Sequence, residues 1–360
     1  MEGIASVPFE AQPRGVTRRE NGSELLSLVR EVGANPRAFW EKHRKRVKEE
    51  LGTRLLSPDE DWSRAVELVI PIHNNMDDLP ALFFSLSKLV VEEKFGLAVV
   101  LHNSSDESAR IIAEAVEGRA RVLRLDSDVL QGAPYAWQFG LAVSRGGIVA
   151  QVDADSVVDS QWLRRITSPL SAEGVLAVSG WRRYFGRGGK RSLPLGMREV
   201  VAIGSQKLGL TRQFVAGNSA MRGPVVRSLI GGLLGSYATD GDLAAAIEKK
   251  GAVITGYEAP VSTRKEEQRV GGVAVEIIQV GLGRLRRSGE YSSAHRRYLT
   301  EFIPHYFPRT REILEQWRAG GGESRGTVGI QELQHLLNEH ARRCAEEMRR
   351  KVAEAQAILE

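Results

Sequence analysis

The stretch Gly146-Gly147-Ile148-Val149-Ala150-Gln151-Val152-Asp153-Ala154-Asp155 sets the frame for the whole chain. Two glycines open a short, mostly apolar run, and the run delivers two carboxylates one residue apart. Such a run bounded by glycine predicts a strand over Ile148–Val152. In open α/β sheets ligands sit beyond the carboxyl ends of the strands, so Asp153 and Asp155 fall where chemistry is expected. Neighbouring carboxylates repel one another and are stabilised by a divalent cation, and oxygen ligands suit Mg²⁺ or Mn²⁺. The plainer alternative is that one aspartate only caps the helix containing Trp162 and Leu163.

Working outward from that strand, further runs of the same texture are Val66–Ile72, Leu97–Leu101, Val122–Leu125, Val175–Ser179 and Ala252–Thr255. Between the first two, Leu79, Leu82, Phe83, Leu86, Leu89 and Val90 recur mostly at steps of three and four, which predicts a helix with one face on a sheet. Ser104 and Glu107 have capping-box spacing ahead of Ile111, Ile112 and Ala115. Strands alternating with helices predict stacked βαβ units around a mostly parallel sheet. After Val261 the strands are expected to stop.

The flanks read differently. Residues 1–60 are expected to form a polar, Pro/Gly-punctuated arm and a charged helical extension, and residues 61–268 the α/β core. Residues 269–318 look helical, 319–327 with Gly320-Gly321-Gly322 form a flexible joint, and 328–360 a long charged helix. Leu333, Leu336, Leu337 and Met348 give that last helix an apolar stripe suited to the body of the protein or to a second copy of the chain.

Bulk properties narrow the class. The chain has 360 residues, 42% of them hydrophobic, and a formal charge of +5, which tilts weakly toward anionic partners. A single cysteine, Cys344, excludes an internal disulfide and a thiolate metal cluster, and fits a reducing compartment. Residues 1–20 lack the apolar region of a signal peptide, and no apolar run approaches the roughly 20 residues that span a bilayer. The expectation is a cytoplasmic protein without a transmembrane segment, with peripheral contact at the inner face of a membrane left open. The basic runs Arg284–Arg287, His295–Arg297, Arg342–Arg343 and Arg349–Lys351 read as solvated helix faces, and no nucleic-acid-binding module accompanies them.

Taken in order, the motifs make a series: Val69-Ile70-Pro71-Ile72-His73-Asn74-Asn75, then His102-Asn103-Ser104-Ser105-Asp106, then Gly132-Ala133-Pro134-Tyr135, the aspartate pair, Gly217-Asn218, Gly231-Gly232, and Thr239-Asp240-Gly241-Asp242. Over roughly residues 65 to 270 this series resembles the family 2 glycosyltransferases of the GT-A fold. That resemblance implies a Rossmann-like mixed sheet flanked by helices, with helical N- and C-terminal extensions. It also implies a hexosyltransferase-like activity that moves a sugar from a UDP- or GDP-sugar to an acceptor hydroxyl, with inversion. The acceptor, whether glycan, lipid-linked or small molecule, is not named by any motif.

The resemblance distributes roles. Pro71, Asn74 and Asn75 occupy the nucleotide loop after the first strand, and His102 and Asn103 the positions that read base and ribose. Gly132 joins the donor-binding set. Asp153 and Asp155 match the metal and diphosphate pair, with Mg²⁺ or Mn²⁺ as cofactor. Asp240 matches the base that deprotonates the acceptor, with Asp242 as second choice; acids there also favour the start of a helix over Ala244–Lys250.

Three departures stand out. His102 replaces an aspartate, and either it alters base recognition or it is a satisfied loop residue. Thr239 replaces a glutamate. No histidine follows the last strand, where Arg264 and Lys265 are expected to stabilise the diphosphate instead. These departures keep open a catalytically impaired, nucleotide-binding protein acting through a partner. The basic loop Arg182–Arg191 could hold an anion or be ordinary surface, and Glu266–Gly272 lies where a mobile lid would sit. A nucleotidyltransferase would want a Gly-rich phosphate loop after the first strand, and His73-Asn74-Asn75-Met76-Asp77 is not one.

Overall fold

The structure, a computed structural model, describes residues 20–185, 214, 216–238, 240–264, 296 and 298–359. The N-terminal arm, Thr239, Lys265, residues 186–191 of the basic loop and all of Glu266–Gly272 lie outside the described residues.

The chain begins with two helices, α1 (Glu20–Ala34) and α2 (Pro36–Arg54). Asn35 separates them: its side chain accepts from the Ala38 N–H at 3.0 Å, and Pro36 follows at the first helical position, where its missing N–H costs nothing. The basic stretch on α2 is matched by acids, with Lys42 on Glu31 at 2.9 Å and Arg46 on Glu50 at 2.8 Å.

The core then alternates: β1 (Val66–Ile72), α3 (Leu79–Ser87), β2 (Gly96–His102), α4 (Ser108–Val116), β3 (Arg121–Leu125), α5 (Ala133–Ala142), β4 (Ile148–Val152), β5 (Ser156–Val158) and α6 (Trp162–Thr167). It continues through β6 (Val175–Phe185), β7 (Asn218–Arg222), α7 (Gly223–Ile230), α8 (Asp240–Glu248) and β8 (Ala252–Arg264). Beyond a π-helical turn at Tyr298–Phe302 and a short helix at Ile303–Tyr306, α9 (Thr310–Ala319) and α10 (Gly326–Leu359) close the chain.

Among the described residues eight strands form one sheet in the order β3-β2-β1-β4-β7-β6-β8-β5. The pairs β3/β2, β2/β1, β1/β4 and β6/β8 are parallel, and β4/β7, β7/β6 and β8/β5 antiparallel. The sheet is therefore mixed and mostly parallel, in agreement with expectation. Both faces are covered, which is why its strands read as near-continuous apolar runs. Leu68, Ile70 and Ile72 of β1 face one core with α2, α3, α4 and α6, while Val69 faces the other with α5, α7, α8 and α10.

Four corrections follow. Two strands were missed, because Ser156–Val158 is short and Asn218-Ser219-Ala220-Met221-Arg222 is half polar. Strand β6 runs past Ser179 to Phe185 and β8 past Val261 to Arg264, since each supplies the other's ladder as far as Phe185↔Arg264. The capping box does not form: Glu107 makes no side-chain cap on α4, and the Ser104 hydroxyl bonds the β1 loop instead. The 319–327 segment folds into a short 3₁₀ turn, Gly322–Arg325, and the Trp317 indole N–H reaches the Gly329 carbonyl at 2.7 Å.

The register of β4, which aims the aspartate pair, is set from below by a buried ion pair. Glu67 of β1 accepts from Arg121 of β3 at 2.9 Å, and its other oxygen takes the N–H groups of Arg145 and, at 2.8 Å, Gly146. A side chain at Gly146 would strike Glu67, so the glycine opening the strand is there for close approach.

Candidate functional site

The carboxyl ends of β1, β2 and β4 carry the loops on which the expected donor residues stand. Asn74 and Asn103 both adopt the left-handed conformation, at φ 52° and 46°, which short amide side chains tolerate. The loops are laced together: the Asn74 side chain accepts from the Ser105 N–H at 2.9 Å, Ser108 Oγ accepts from the Asn75 N–H at 3.1 Å, and Asp106 takes the Met76 N–H at 2.9 Å. Asn75 Oδ1 accepts the N–H of His73 at 3.0 Å. Pro71 lies past the last β1–β4 pair, Val69↔Gln151, so β4 asks no N–H of it.

His102 is buried at the end of β2, and its Nε2–H donates to the Leu130 carbonyl at 2.7 Å. Burial holds this imidazole below its ordinary pKa, with the Leu130 carbonyl opposing. The Leu130 bond satisfies that ring nitrogen within the protein. Asn103 turns its amide to the same loop, donating to Ser127 O at 3.0 Å and accepting from Ser127 N at 2.8 Å. Together they pin residues 127–130 below Gly132, where a side chain would collide with the Tyr306 carbonyl.

The aspartate pair leaves β4 without capping a helix. The start of α6 has Gln161 as its N-cap and no side-chain cap, and Asp159 accepts from the Gln161 N–H at 2.8 Å just ahead of it. Asp153 instead meets β6: Arg182 Nη2 donates to its Oδ2 at 2.5 Å. Strands β4 and β6 are separated by β7, which starts only at Asn218. The Arg182 guanidinium therefore reaches across beyond the end of β7, past Gly217, whose missing side chain leaves room for the Asp153 carboxylate. Register shifts in β6 on either side of Gly180 re-aim the strand just before Arg182.

Asp240 opens α8 and completes the cluster. Its oxygens accept from the Gly241 N–H at 2.9 Å and the Ala216 N–H at 3.4 Å, so it also serves the start of its helix, as does Asp242 in the same turn. Burial pushes its carboxyl above the usual aspartate range; the Arg182 charge and the two N–H groups oppose, and the Asp153 charge adds to the rise. Asp153, Arg182 and Asp240 thus form one electrostatic unit at the carboxyl end of the sheet.

Sequence reading places Asp153, Asp155, Asp240 and Asp242 at strand and helix ends; the structure pairs Asp153 with Arg182, whose charge also acts on Asp240. Arg182 belongs to the basic stretch that the sequence offers either as an anion-binding loop or as ordinary surface, with no single partner named for it. Gln138 was passed over, although a glutamine amid Ala136, Trp137, Phe139 and Leu141 on a buried helix signals a polar duty. The side chain of Arg264 lies outside the described residues, although its backbone ends β8. Among the described residues there is no group of three or more His, Cys, Asp or Glu that could hold a metal ion, and no helix is long and apolar enough to cross a membrane.

Comparison with known proteins bears on this site. Residues 67–225 match the family described as glycosyl transferase family 2. The chain is 28% identical over 116 residues to the glycosyltransferase AglE of Haloferax volcanii, a match spanning 32% of this chain and only 38% of that protein's length. Among solved structures, the mannosyltransferase PcManGT from Pyrobaculum calidifontis, in complex with GDP-Man and Mn²⁺, aligns with TM-score 0.48 and 17% identity over 92% of this chain and 98% of that one. Glucosyl-3-phosphoglycerate synthase from Mycobacterium tuberculosis, in complex with Mn²⁺ and UDP-glucose, aligns with TM-score 0.41 and 23% identity over 66% and 82%.

Proposed function

We propose that the chain, whose residues 67–225 match the family 2 glycosyl transferases, transfers a sugar from a UDP- or GDP-sugar to an acceptor hydroxyl with inversion. The observation that carries this reading is the convergence of Asp153, Arg182 and Asp240 at the carboxyl end of the sheet. We assign the reaction to the segment 61–268.

A carboxylate and a guanidinium at one locus suit a diphosphate. Arginine's planar fork matches phosphate oxygens, and charge-assisted contacts of this kind are roughly twice as strong as neutral ones. Asp153 and Asp155 fit a divalent cation in the way Mg²⁺ and Mn²⁺ prefer, with one or two protein carboxylates and the remaining ligands from phosphate and water. Gly217 supports that fit, because its bare backbone is what admits the Asp153 carboxylate. Such a cation neutralises charge on the departing diphosphate.

Asp240 receives the proton. As the acceptor oxygen bonds to the anomeric carbon, its proton passes to the Asp240 carboxylate, and the electron pair of the breaking C–O bond leaves with the nucleoside diphosphate. A positioned base of this kind contributes about 10²–10⁴-fold. The raised pKa of Asp240 makes it a stronger base than an exposed aspartate. The loops laced by Asn74, Asn75 and Asn103 form the rim on the nucleotide side.

Calorimetric titration with UDP and GDP, in Mn²⁺ and in EDTA, tests the assignment on the wild-type chain and on Asp153→Ala/Asp155→Ala. Metal-dependent binding that the double variant loses supports the donor site. No nucleoside diphosphate binding in either condition removes it.

A further inference from the structure

We propose that Arg182 holds the Asp153 carboxylate against divalent cations until a diphosphate draws its guanidinium away, so that metal and nucleoside diphosphate enter together. The inference rests on the donor site assigned above and concerns its order of assembly.

The geometry leaves Asp153 little choice. One face of its carboxylate lies against the Gly217 backbone, and its Oδ2 carries the Arg182 guanidinium at 2.5 Å. The Asp153 N–H is itself bound to the Gly217 carbonyl at 3.3 Å, which fixes the backbone on that side. The pair is half-sheltered, with Asp153 and Arg182 side chains 34% and 19% exposed. A cation that seeks Oδ2 must displace a guanidinium already there, or sit beside it as a like charge.

Energetics make the arrangement reversible. A partly exposed ion pair is worth only about 0–1 kcal/mol, so it yields to a better partner. A diphosphate is that partner, because it offers the fork of Arg182 several anionic oxygens at once. When Arg182 turns to the phosphate, Asp153 is released to the cation, and the same phosphate supplies further metal ligands. Two ligands that each remove an obstacle to the other are positively coupled, and by linkage the coupling is reciprocal.

The pairing also gives Arg182 a role that its place among the charges of Arg182–Arg191 conceals. It is a positioning residue for the empty site and a phosphate ligand in the loaded one. A plain structural role would predict that its removal weakens every ligand; the competition predicts that its removal strengthens one.

The test is Mn²⁺ binding, followed by electron paramagnetic resonance of the free ion and by calorimetry, with and without UDP and, separately, GDP. Wild type, Arg182→Met and Arg182→Lys are compared. Arg182→Met is expected to bind Mn²⁺ alone about tenfold tighter than wild type, within the usual range of site-to-site coupling. The tightening of Mn²⁺ by the nucleoside diphosphate shrinks by the same factor, and Arg182→Lys, which keeps the charge, stays near wild type. Arg182→Gln replaces the methionine variant should that one fail to fold, with the same expectation. Unchanged or weaker Mn²⁺ binding in the uncharged variants, alongside normal Mn²⁺-dependent nucleotide binding by wild type, overturns the inference and leaves the donor site standing. Absence of nucleoside diphosphate binding by wild type overturns both.

Discussion

The side-chain oxygen of Gln138 on α5 accepts the backbone N–H of Gly235 at 2.8 Å. Its amide nitrogen donates to the carbonyls of Ser236 and Ala238, each at 3.3 Å, so one buried residue holds the backbone leading into Asp240. Gln138→Leu keeps the volume and leaves the three backbone groups without that partner. Each such group costs about 1–3 kcal/mol when buried, so the urea midpoint falls measurably. Turnover under conditions where the variant is folded falls further, on the order of 10²-fold, because the base is displaced. UDP affinity is expected to change little, and equal losses in affinity and turnover would argue against a positioning role.

Asp240 yields a prediction with a sign. Its carboxyl titrates above the usual aspartate range, chiefly because it is buried. The base must be ionised to act, so transfer activity rises with pH through that raised value, and Asp240→Asn removes the limb along with about 10²–10⁴ of the rate. Stability runs the other way. Between the ordinary aspartate pKa of the unfolded chain and the raised folded value, the native state holds more protons than the unfolded one. Stability therefore falls as pH rises through this window, and Asp240→Asn flattens the fall. Urea midpoints at a series of pH values, compared with rates at the same values, check both limbs.

How much of this was legible in the sequence depended on whether the signal was local. Val66–Ile72 and Ile148–Val152 were read to the residue, since an unbroken apolar run between turn residues has one good solution in a sheet covered on both faces. Asn218–Arg222 was not, because its polar ends are satisfied by tertiary partners: Asn218 accepts from Trp162 Nε1 at 2.9 Å and donates to the Ala259 carbonyl at 2.9 Å. No window of sequence shows that. The aspartate pair was visible because strand ends are predictable. The Arg182–Asp153 contact was not, since it depends on β7 lying between two strands and ending one residue short. The bond from His102 to the Leu130 carbonyl, 28 residues away, is equally hidden from any local window.

Glu67 and Arg121 allow a separate test of what holds β4 in register. Glu67→Leu leaves the Arg121 guanidinium buried beside Trp62, whose ring lies 5.6 Å away, without its carboxylate. Breaking one partner of a buried pair costs about 3–5 kcal/mol. Glu67→Leu/Arg121→Met removes both charges and is expected to recover much of that loss. The Gly146 N–H remains unpaired in both variants, so recovery is incomplete. Equilibrium unfolding in urea of the two variants and wild type measures the difference, and a double variant no more stable than the single would show that the charges are not the cause.

Gly217 offers the sharpest separation of site from scaffold. A Cβ at this position would overlap the Asp153 carboxylate, so Gly217→Ala forces that side chain off the β7 end and closes the path by which Arg182 reaches it. The displaced carboxylate is partly exposed and can move into solvent, and no left-handed backbone is required of residue 217, so the cost to folding is small. The cost to the donor site is not. Mn²⁺-dependent UDP or GDP binding by Gly217→Ala is expected to weaken tenfold or more, about 1.4 kcal/mol, with the thermal midpoint nearly unchanged. Asp153→Ala should then abolish the effect of the second substitution, because both act through one carboxylate and such effects do not add. Additive losses in the double variant would mean that Gly217 acts on the ligand by some route other than Asp153.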